Sequence, residues 1–433
     1  MEGLRLKAKH SNDRMKRNCS LIVGALFAMM MIGCQEPKAQ EVKTSDQEQE
    51  YVVHYTKEDV VDYEKQANTS VVKVYVDRYG YAPGDNKVAY FRGMNVHEQF
   101  DVVDISTKEI VFSGKIVILG EDPKTKEKIA YGDFSAHIVP GSYYIQTPFI
   151  GCSYTFTVQE DSLQKQISSI KEEDVFDEDG ILAKVVTLKM LTKEFDGFED
   201  IEQFDNDQIK ELIEQLRDSK DQGEEAMAYR CAAFSLAHQL FLVTDTAYSN
   251  TCLEQAVKAK YDLIKLKPSD EYLYLANAYL YKCSGNKTQQ NEMKKLMMKL
   301  NRTKLAHEEV VFYGDMAYLS TNFKTDDKLC NEILQYYFDE ADLVLKEWDD
   351  FYSKTENSLE EVNWDQNYTN QMLLEAMKFS YIERIAHNDS YCRMIQYYLH
   401  HLNGENVMGK LLLEDNDPYH DEQFRFIAMG LNK

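Results

Sequence analysis

The hydrophobic pattern of this chain changes its period once, and that change limits the fold more than any other feature. Between residues 71 and 159, apolar and polar positions alternate in short runs rich in β-branched and aromatic residues. The runs are VVKVYVD, KVAYFR, QFDVVD, EIVFSG, KIAYGDF, SYYIQT and SYTFTV, and turn signals such as Pro83-Gly84-Asp85 and Pro140-Gly141 separate them. Several short strands at this spacing predict an antiparallel β-sandwich over residues 69–160.

From about residue 180 the apolar residues recur with the period of an α-helix. The pattern predicts helices at 181–194, 207–218, 224–242, 250–265, 271–283, 287–300, 307–320, 328–351, 366–387 and 389–402. Short loops join them, so consecutive helices should pair as antiparallel hairpins within a second domain at 170–433. Such hairpins form a closed bundle or toroid, or they stack into an open superhelix of the tetratricopeptide kind. The chain has no fixed-length tetratricopeptide repeat, although that stack stays the alternative.

The N-terminal region predicts export and lipid anchoring. Residues 21–32, LIVGALFAMMMI, follow Arg14, Lys16 and Arg17, and they are shorter than the ~20 apolar residues that span a bilayer. Gly33 and Cys34 come next, so residues 1–33 resemble a bacterial lipoprotein signal with Cys34 as the lipidated residue. An uncleaved anchor is the alternative. The polar segment 34–68 is predicted to be a flexible tether. These features predict a lipid-anchored protein of the bacterial cell envelope, at the outer membrane and on either its surface or its periplasmic face.

Charge and cysteine spacing exclude several classes of function. The chain has 73 acidic and 49 basic residues, a net charge of −24, so we do not expect a nucleic-acid partner. The six cysteines after Cys34 form no C-x-x-C pattern, and we expect buried thiols. A bridge between Cys231 and Cys252 stays open.

The β module resembles the N-terminal immunoglobulin-like domain of family 9 glycoside hydrolases, the cellulase-like inverting enzymes. The similarity lies in VYVDRYGYAPGDNKVAYF (74–91), FDVVDISTKEIVFSG (100–114), GDFSAHIVPGSYYI (132–145) and GCSYTFTV (151–158). The resemblance implies an immunoglobulin-like β-sandwich followed by an (α/α)6 toroid.

The helical part is similar to that toroid in several segments. They are 226–264, 270–286, NWDQNYTNQMLLEAMKF (363–379) and YYLHHLNGENVMG (397–409). In the last segment Glu405 and Val407 stand where the family has Arg and Pro. Residues 209–227 pass almost directly from one helix to the next, where the family has a long insertion. We therefore expect a truncated toroid with a shallower groove.

The resemblance implies a hydrolase of β-linked glucans or related plant polysaccharides, but the catalytic motifs are incomplete. Inverting hydrolysis needs a carboxylate base and a protonated acid about 6.5–9.5 Å apart. In DVFDEDGILAKVV (174–186), Asp177 takes the first Asp position of the family's D-A-G-D motif, while the base position falls on Gly180. Asp179 is one residue early, a shift that turns a helical side chain by ~100°. An acidic surface loop is the alternative. The family's acid motif is not found. Pro418 and His420 match part of the His-rich segment that precedes it in the family, and Glu422 is the only Glu beyond them.

Sugar binding without cleavage needs aromatic faces and hydrogen-bonding side chains. The resemblance points to Trp364, Tyr368 and Asn406 as substrate-binding residues. The acidic loop 414–422 could hold Ca²⁺ through oxygen ligands but lacks a fixed spacing, so no cofactor is expected.

Three hypotheses about function follow. The first is an envelope lipoprotein derived from a family 9 enzyme, with weakened or lost catalysis. The second is a non-catalytic glycan-binding or scaffold lipoprotein of a polysaccharide-utilisation system. The third is a helical-repeat adaptor unrelated to sugars.

Overall fold

A computed structural model describes residues 72–170, 180–194, 206–354, 366–413 and 417–431. These residues form two compact units. One contains the strands, up to Glu160, together with Glu405–Gly409. The other contains Asp161–Gly404 and the chain from Lys410 onward. The predicted signal, the tether and Cys34 lie outside the described residues.

The first unit consists of two antiparallel sheets. Its strands are β1 (Val74–Tyr75), β2 (Val88–Gly93), β3 (Gln99–Asp104), β4 (Ile110–Lys115), β5 (Val117–Glu121), β6 (Lys128–Asp133), β7 (Gly141–Thr147), β8 (Gly151–Cys152) and β9 (Phe156–Val158). One sheet has the order β1-β2-β6-β5, and the other has the order β4-β3-β7-β8, with β9 also paired to β7. The predicted β-sandwich is confirmed, because period-2 alternation places one face of each sheet in a shared core.

The core between the sheets is rich in aromatic residues. Tyr81 packs edge-to-face against Phe134 and Phe156, with ring centroids 5.4 and 5.5 Å apart. Phe91 and Phe100 meet across the two sheets at 5.4 Å. Edge-to-face pairs of this kind add to the stabilisation that comes from apolar burial. The Tyr and Phe runs of the sequence therefore serve packing here.

The segment Glu405–Gly409 is part of this β unit although it lies between two helices of the other unit in the chain. The Tyr81 hydroxyl donates to Glu405 Oε2 at 2.7 Å, and Arg78 Nη2 donates to the Gly409 carbonyl at 2.8 Å. Glu405 is 3% exposed. The side chain that replaces the family's Arg is thus a buried acceptor for a core tyrosine.

The second unit is helical. Its helices are α1 (Ser162–Ser169), α2 (Ile181–Glu194), α3 (Asn206–Asp218), α4 (Glu224–Phe241), α5 (Thr246–Lys265), α6 (Asp270–Ser284), α7 (Lys287–Met297), α8 (Glu308–Leu319), α9 (Asp327–Lys354), α10 (Gln366–Ile385), α11 (Asp389–Leu402) and α12 (Pro418–Ala428). In the described part of the chain, no helix is both long and apolar enough to cross a bilayer.

Alternate helices form an inner ring. Helices α2, α4, α6 and α8 pack side by side in that order, and α12 packs against both α10 and α2. Phe312 of α8 meets Tyr381 of α10 at a ring distance of 5.9 Å, which completes the ring. Helices α3, α5, α7, α9 and α11 lie outside it. The predicted toroid is confirmed, and the open tetratricopeptide-like stack is not formed, because α12 returns to α2.

The inner helices are apolar around most of their circumference, as a position between neighbours on several sides requires. In α4, all residues from Ala226 to His238 are buried. Short polar side chains begin the surface helices: Asp245, Asn286 and Asn388 each accept a backbone hydrogen bond as the N-cap of the next helix. The six described cysteines are free thiols and five are buried, so Cys231 and Cys252 are not bridged.

Candidate functional site

The N-terminal ends of four inner helices meet in one polar cluster. Consecutive helices run in opposite directions, so every second helix points the same way, and the inner helices present their first turns together. Lys184 of α2 lies 2.7 Å from Glu225 Oε1 of α4 and 4.0 Å from Glu309 Oε2 of α8. The Tyr419 hydroxyl of α12 donates to Glu309 Oε1 at 2.7 Å. We refer to Lys184, Glu225, Glu309 and Tyr419 as the ring-end cluster.

Glu309 is the carboxyl with the most unusual environment in this cluster. Its Oε1 also accepts from Gln423 Nε2 at 2.8 Å. Burial raises the pKa of Glu309, and the nearby Glu225 adds to that effect, while Lys184 and the Tyr419 hydrogen bond oppose it. The side chain is still 23% exposed. A partly accessible carboxyl that holds its proton more firmly than usual is suited to proton transfer or to hydrogen bonding with a hydroxyl ligand.

Lys184 lies near both carboxyls and over two aromatic rings. Its ammonium is 5.6 Å from the centre of the Tyr229 ring and 5.3 Å from that of Tyr419. Burial works to lower the pKa of Lys184, but Glu309 and Glu225 outweigh it, so the pKa is raised. The folded cluster therefore favours the charged ammonium.

Two buried oxygens beside the cluster, the Tyr229 hydroxyl and Gln423 Oε1, have no hydrogen-bond partner among the described residues. The Tyr229 ring lies under the Lys184 ammonium, and Gln423 donates to Glu309 through its amide nitrogen. An unsatisfied buried polar atom costs stability, so each oxygen calls for a partner such as a water, an ion or a ligand. These two oxygens support a polar ligand at this end of the ring.

Glu422, the predicted acid, is buried on α12 in an ion-pair network. Its Oε1 lies 3.0 Å from Lys189 Nζ of α2 and 3.1 Å from Arg425 Nη1. It is 3% exposed. Glu422 thus ties α12 to α2. The carboxyl that contacts Tyr419 at the ring end is that of Glu309.

Gly180, at the predicted base position, immediately precedes α2. Its N–H donates to Asp221 Oδ2 at 2.6 Å, and its φ is +75°, which favours glycine. A Cβ at this position would lie 3.2 Å from the Ala226 backbone nitrogen. The local backbone is therefore built for a residue with no side chain. Asp177 and Asp179 lie outside the described residues.

The predicted sugar-binding residues are not gathered into one cluster by the described structure. The Tyr368 hydroxyl is 2.8 Å from His401 Nε2, within the helical unit. Asn406 is fully buried in the β unit, where its Oδ1 accepts from the Met408 N–H at 3.1 Å. Trp364 lies outside the described residues. Part of the acidic loop 414–422 does as well, and its Asp417 caps α12 by accepting from the Tyr419 N–H at 2.9 Å.

Sequence reasoning did not identify Glu309 or Lys184 as site residues. The available signal was positional, since each lies in the first turn of a helix whose remaining residues are mostly buried. A charged residue at that position of a buried helix has to be satisfied at the end of the ring. Without knowing which helices are inner, the sequence could not indicate that these residues meet.

The fold defines a class of protein, an immunoglobulin-like β-sandwich followed by an α/α toroid, and known proteins share it. Residues 69–151 match the family model of the cellulase N-terminal ig-like domain. A family 9 glycoside hydrolase from Bacteroides ovatus superposes with a TM-score of 0.63 at 13% identity, covering 83% of this chain and 98% of that one.

Two endoglucanase structures agree with that result. A metagenome-derived family 9 endoglucanase gives a TM-score of 0.61 at 13% identity, covering 78% of this chain and 84% of its own. A single mutant of the thermostable endoglucanase from Alicyclobacillus acidocaldarius gives 0.59 at 15% identity, covering 79% and 84%. No curated protein matches the sequence significantly. The resemblance to family 9 glycoside hydrolases is therefore confirmed, and at these identities it is a likeness of fold.

Proposed function

We propose that this protein is an envelope lipoprotein, derived from a family 9 enzyme, that binds a β-linked glucan or related polysaccharide at the ring end of its toroid and has weak or no hydrolytic activity. The observation that carries the proposal is the position of Lys184, whose ammonium lies 2.7 Å from one carboxylate and 4.0 Å from the other. The cluster has the polar groups of a sugar site but not the arrangement of an inverting enzyme.

The loss of hydrolysis is argued from what inversion requires. The acid and the base must flank the glycosidic bond, with room for a water molecule between the base and the sugar. In the ring-end cluster, the Lys184 ammonium lies against both Glu225 and Glu309 instead, at 2.7 and 4.0 Å. Gly180 has no side chain at the predicted base position, and its positive φ disfavours one.

Binding is argued from the groups that remain. Sugar hydroxyls form hydrogen bonds with carboxylates, amides and ammonium groups. Glu309, Gln423 and Lys184 offer all three kinds of group at the ring end. A charge-assisted hydrogen bond contributes about 1.5–3 kcal/mol when it is desolvated. The substrate-binding role of Tyr368 and Trp364 stays part of this proposal. Asn406 is left out of it, because its side chain is fully buried in the β unit.

Calorimetric titration with soluble β-glucan oligosaccharides tests binding, and a reducing-end assay on the same ligands tests hydrolysis. We expect the wild type to bind without turnover, and Lys184→Met to bind about tenfold more weakly, because one charged hydrogen bond is lost. Lys265→Met is the matched control, since its ammonium forms an exposed pair with Asp262 at 2.8 Å. Equal affinity in wild type and Lys184→Met would remove the ring-end cluster from the site.

Hydrolysis by a re-formed active site is the second candidate, and the raised pKa of Glu309 favours it. In that case wild type releases reducing ends, Glu309→Gln abolishes the release, and Asp177→Ala or Asp179→Ala identifies the base. Turnover that survives in all three variants would exclude this candidate.

The envelope anchor is tested separately. We expect wild type to incorporate labelled fatty acid in a bacterial host and to fractionate with membranes. We expect Cys34→Ser to lose both properties. Retention of the label in Cys34→Ser would contradict lipidation at that residue.

A further inference from the structure

Three metal-ligating side chains converge where α10 meets α11. Glu383 is in the last turn of α10, His387 is in the connection, and Cys392 is in the first turn of α11. One donor atom from each, an oxygen, a nitrogen and a sulfur, lie within 4.8 Å of one another. No other group of three such donors occurs in the parts of the chain that the structure describes.

The spacing of the sulfur and oxygen donors is close to that around a tetrahedral ion. A zinc ion with a Zn–S bond of about 2.3 Å and a Zn–O bond of about 2.1 Å holds the two ligand atoms about 3.6 Å apart. Cys392 Sγ and Glu383 Oε1 are 3.4 Å apart. His387 Nδ1 contacts the same Glu383 oxygen directly, so that contact must open for an ion to enter. The imidazole can move, because its side chain is 52% exposed.

The surroundings resemble the support that metal sites use. Glu383 is held in place by burial, with 7% of its side chain exposed. Asp389 Oδ1 lies 3.5 Å from His387 Nε2, on the ring nitrogen opposite the donor. A carboxylate in that position accepts the remaining N–H of a metal-bound histidine and fixes its tautomer. Cys392 is partly exposed, whereas the other five described cysteines are buried.

We propose that Glu383, His387 and Cys392 form a binding site for a zinc-like transition-metal dication that ties the end of α10 to the start of α11. Thiolate, imidazole and carboxylate are the ligands zinc prefers, and water takes the fourth position of a three-residue site. Binding releases the thiol proton to solvent. Because the ion binds the folded hairpin, it raises the thermal stability of the protein.

The test uses the purified protein, freed of metal with a chelator, and Zn²⁺ alone in competition with a chromophoric chelator. We expect one Zn²⁺ per chain and a rise in Tm. Co²⁺ should give a thiolate-to-cobalt absorption band. Cys392→Ser should lose the band, and His387→Gln should lose tight binding. Asp389→Asn should bind about 10- to 100-fold more weakly, as loss of a supporting carboxylate does elsewhere. His97→Gln, a partly exposed histidine of the β unit, is the matched control and should bind as wild type does.

Stability without metal separates a lost site from a damaged fold. We expect Cys392→Ser and His387→Gln to have the wild-type Tm in EDTA and to show no further rise when Zn²⁺ is added. The proposal is overturned if the wild type binds no Zn²⁺, or if both variants bind it as tightly as the wild type. A cobalt spectrum without a thiolate band would equally contradict the role of Cys392. None of these readouts depends on glycan binding.

Discussion

The hydroxyl of Tyr419 donates to the carboxyl of Glu309 at 2.7 Å, and this hydrogen bond joins the first turn of α12 to the first turn of α8. Two effects act on Glu309 in opposite directions. The positive end of the α8 dipole and the Lys184 ammonium favour its charge, whereas burial disfavours it. Because burial is the larger effect, the folded protein holds a proton on Glu309 at pH values where the unfolded chain has released it.

Glu309→Gln should therefore stabilise the protein near neutral pH. A raised folded pKa means that the stability tied to Glu309 is fully present below the unfolded value of about 4.5, and it is lost as pH rises through the folded pKa. Glutamine keeps an acceptor for Tyr419 and removes the buried charge, so we expect a gain on the order of 1 kcal/mol at pH 7 that vanishes near pH 4. Urea unfolding at both pH values measures it.

The exposed Glu211 supplies the control, because Glu211→Gln should change stability by less than about 0.5 kcal/mol at either pH. A loss of stability at pH 7 in Glu309→Gln would show that the carboxylate serves packing. A gain would support a group kept for function at the expense of stability.

We expect a carboxylate introduced at Gly180 to give no hydrolytic activity. Gly180→Asp puts a carboxyl at the predicted base position, but the backbone there has a φ of +75°. We expect a loss of about 1–2 kcal/mol, because an L-residue is strained in that conformation. Gly84→Asp is the control, since its Cβ would meet nothing within 4 Å. Reducing-end release by Gly180→Asp would contradict the structural argument.

The sequence predicted most elements because most are strongly periodic. The predicted bounds of α2 and α11, 181–194 and 389–402, match the structure. Strand β5 escaped detection since Val117 and Ile118 are exposed at an edge and a bulge follows them, which breaks the alternation. Helix α12 was not predicted, because its buried residues include charged and polar side chains that interrupt the apolar pattern.

The candidate site was harder to predict because it depends on which helix ends meet. The family resemblance drew attention to Glu422, whose partners Lys189 and Arg425 could not be identified without the packing of α12 on α2. Glu309 belongs to no motif. Its importance comes from burial and from Lys184, which is 125 positions earlier in the chain.

Glu405 should be replaceable by glutamine but not by arginine. The buried Oε2 accepts from the Tyr81 hydroxyl at 2.7 Å and lies 3.4 Å from the Val88 nitrogen. Glu405→Gln keeps an acceptor and should cost less than about 1 kcal/mol, whereas Glu405→Arg buries an unpaired cation and should cost about 3–5 kcal/mol. Thermal unfolding of both variants checks this. Equal Tm values would mean that the segment leaves the β unit without penalty.

His401 should make the helical unit sensitive to mild acid. Its ring is buried, with Nε2 at 2.8 Å from the Tyr368 hydroxyl and Nδ1 at 3.1 Å from that of Tyr397. Burial lowers the pKa of His401 to about 3. The unfolded chain therefore takes up this proton first, and stability falls as pH decreases from about 6.5 toward 3, by up to about 1.4 kcal/mol per pH unit. Urea unfolding of wild type and His401→Gln between pH 7 and pH 4, with His97→Gln as the control, isolates the effect from that of the carboxylates. We expect the His401→Gln curve to be flatter and the His97→Gln curve to follow the wild type, whereas parallel curves for all three proteins would show that His401 is not the group that titrates.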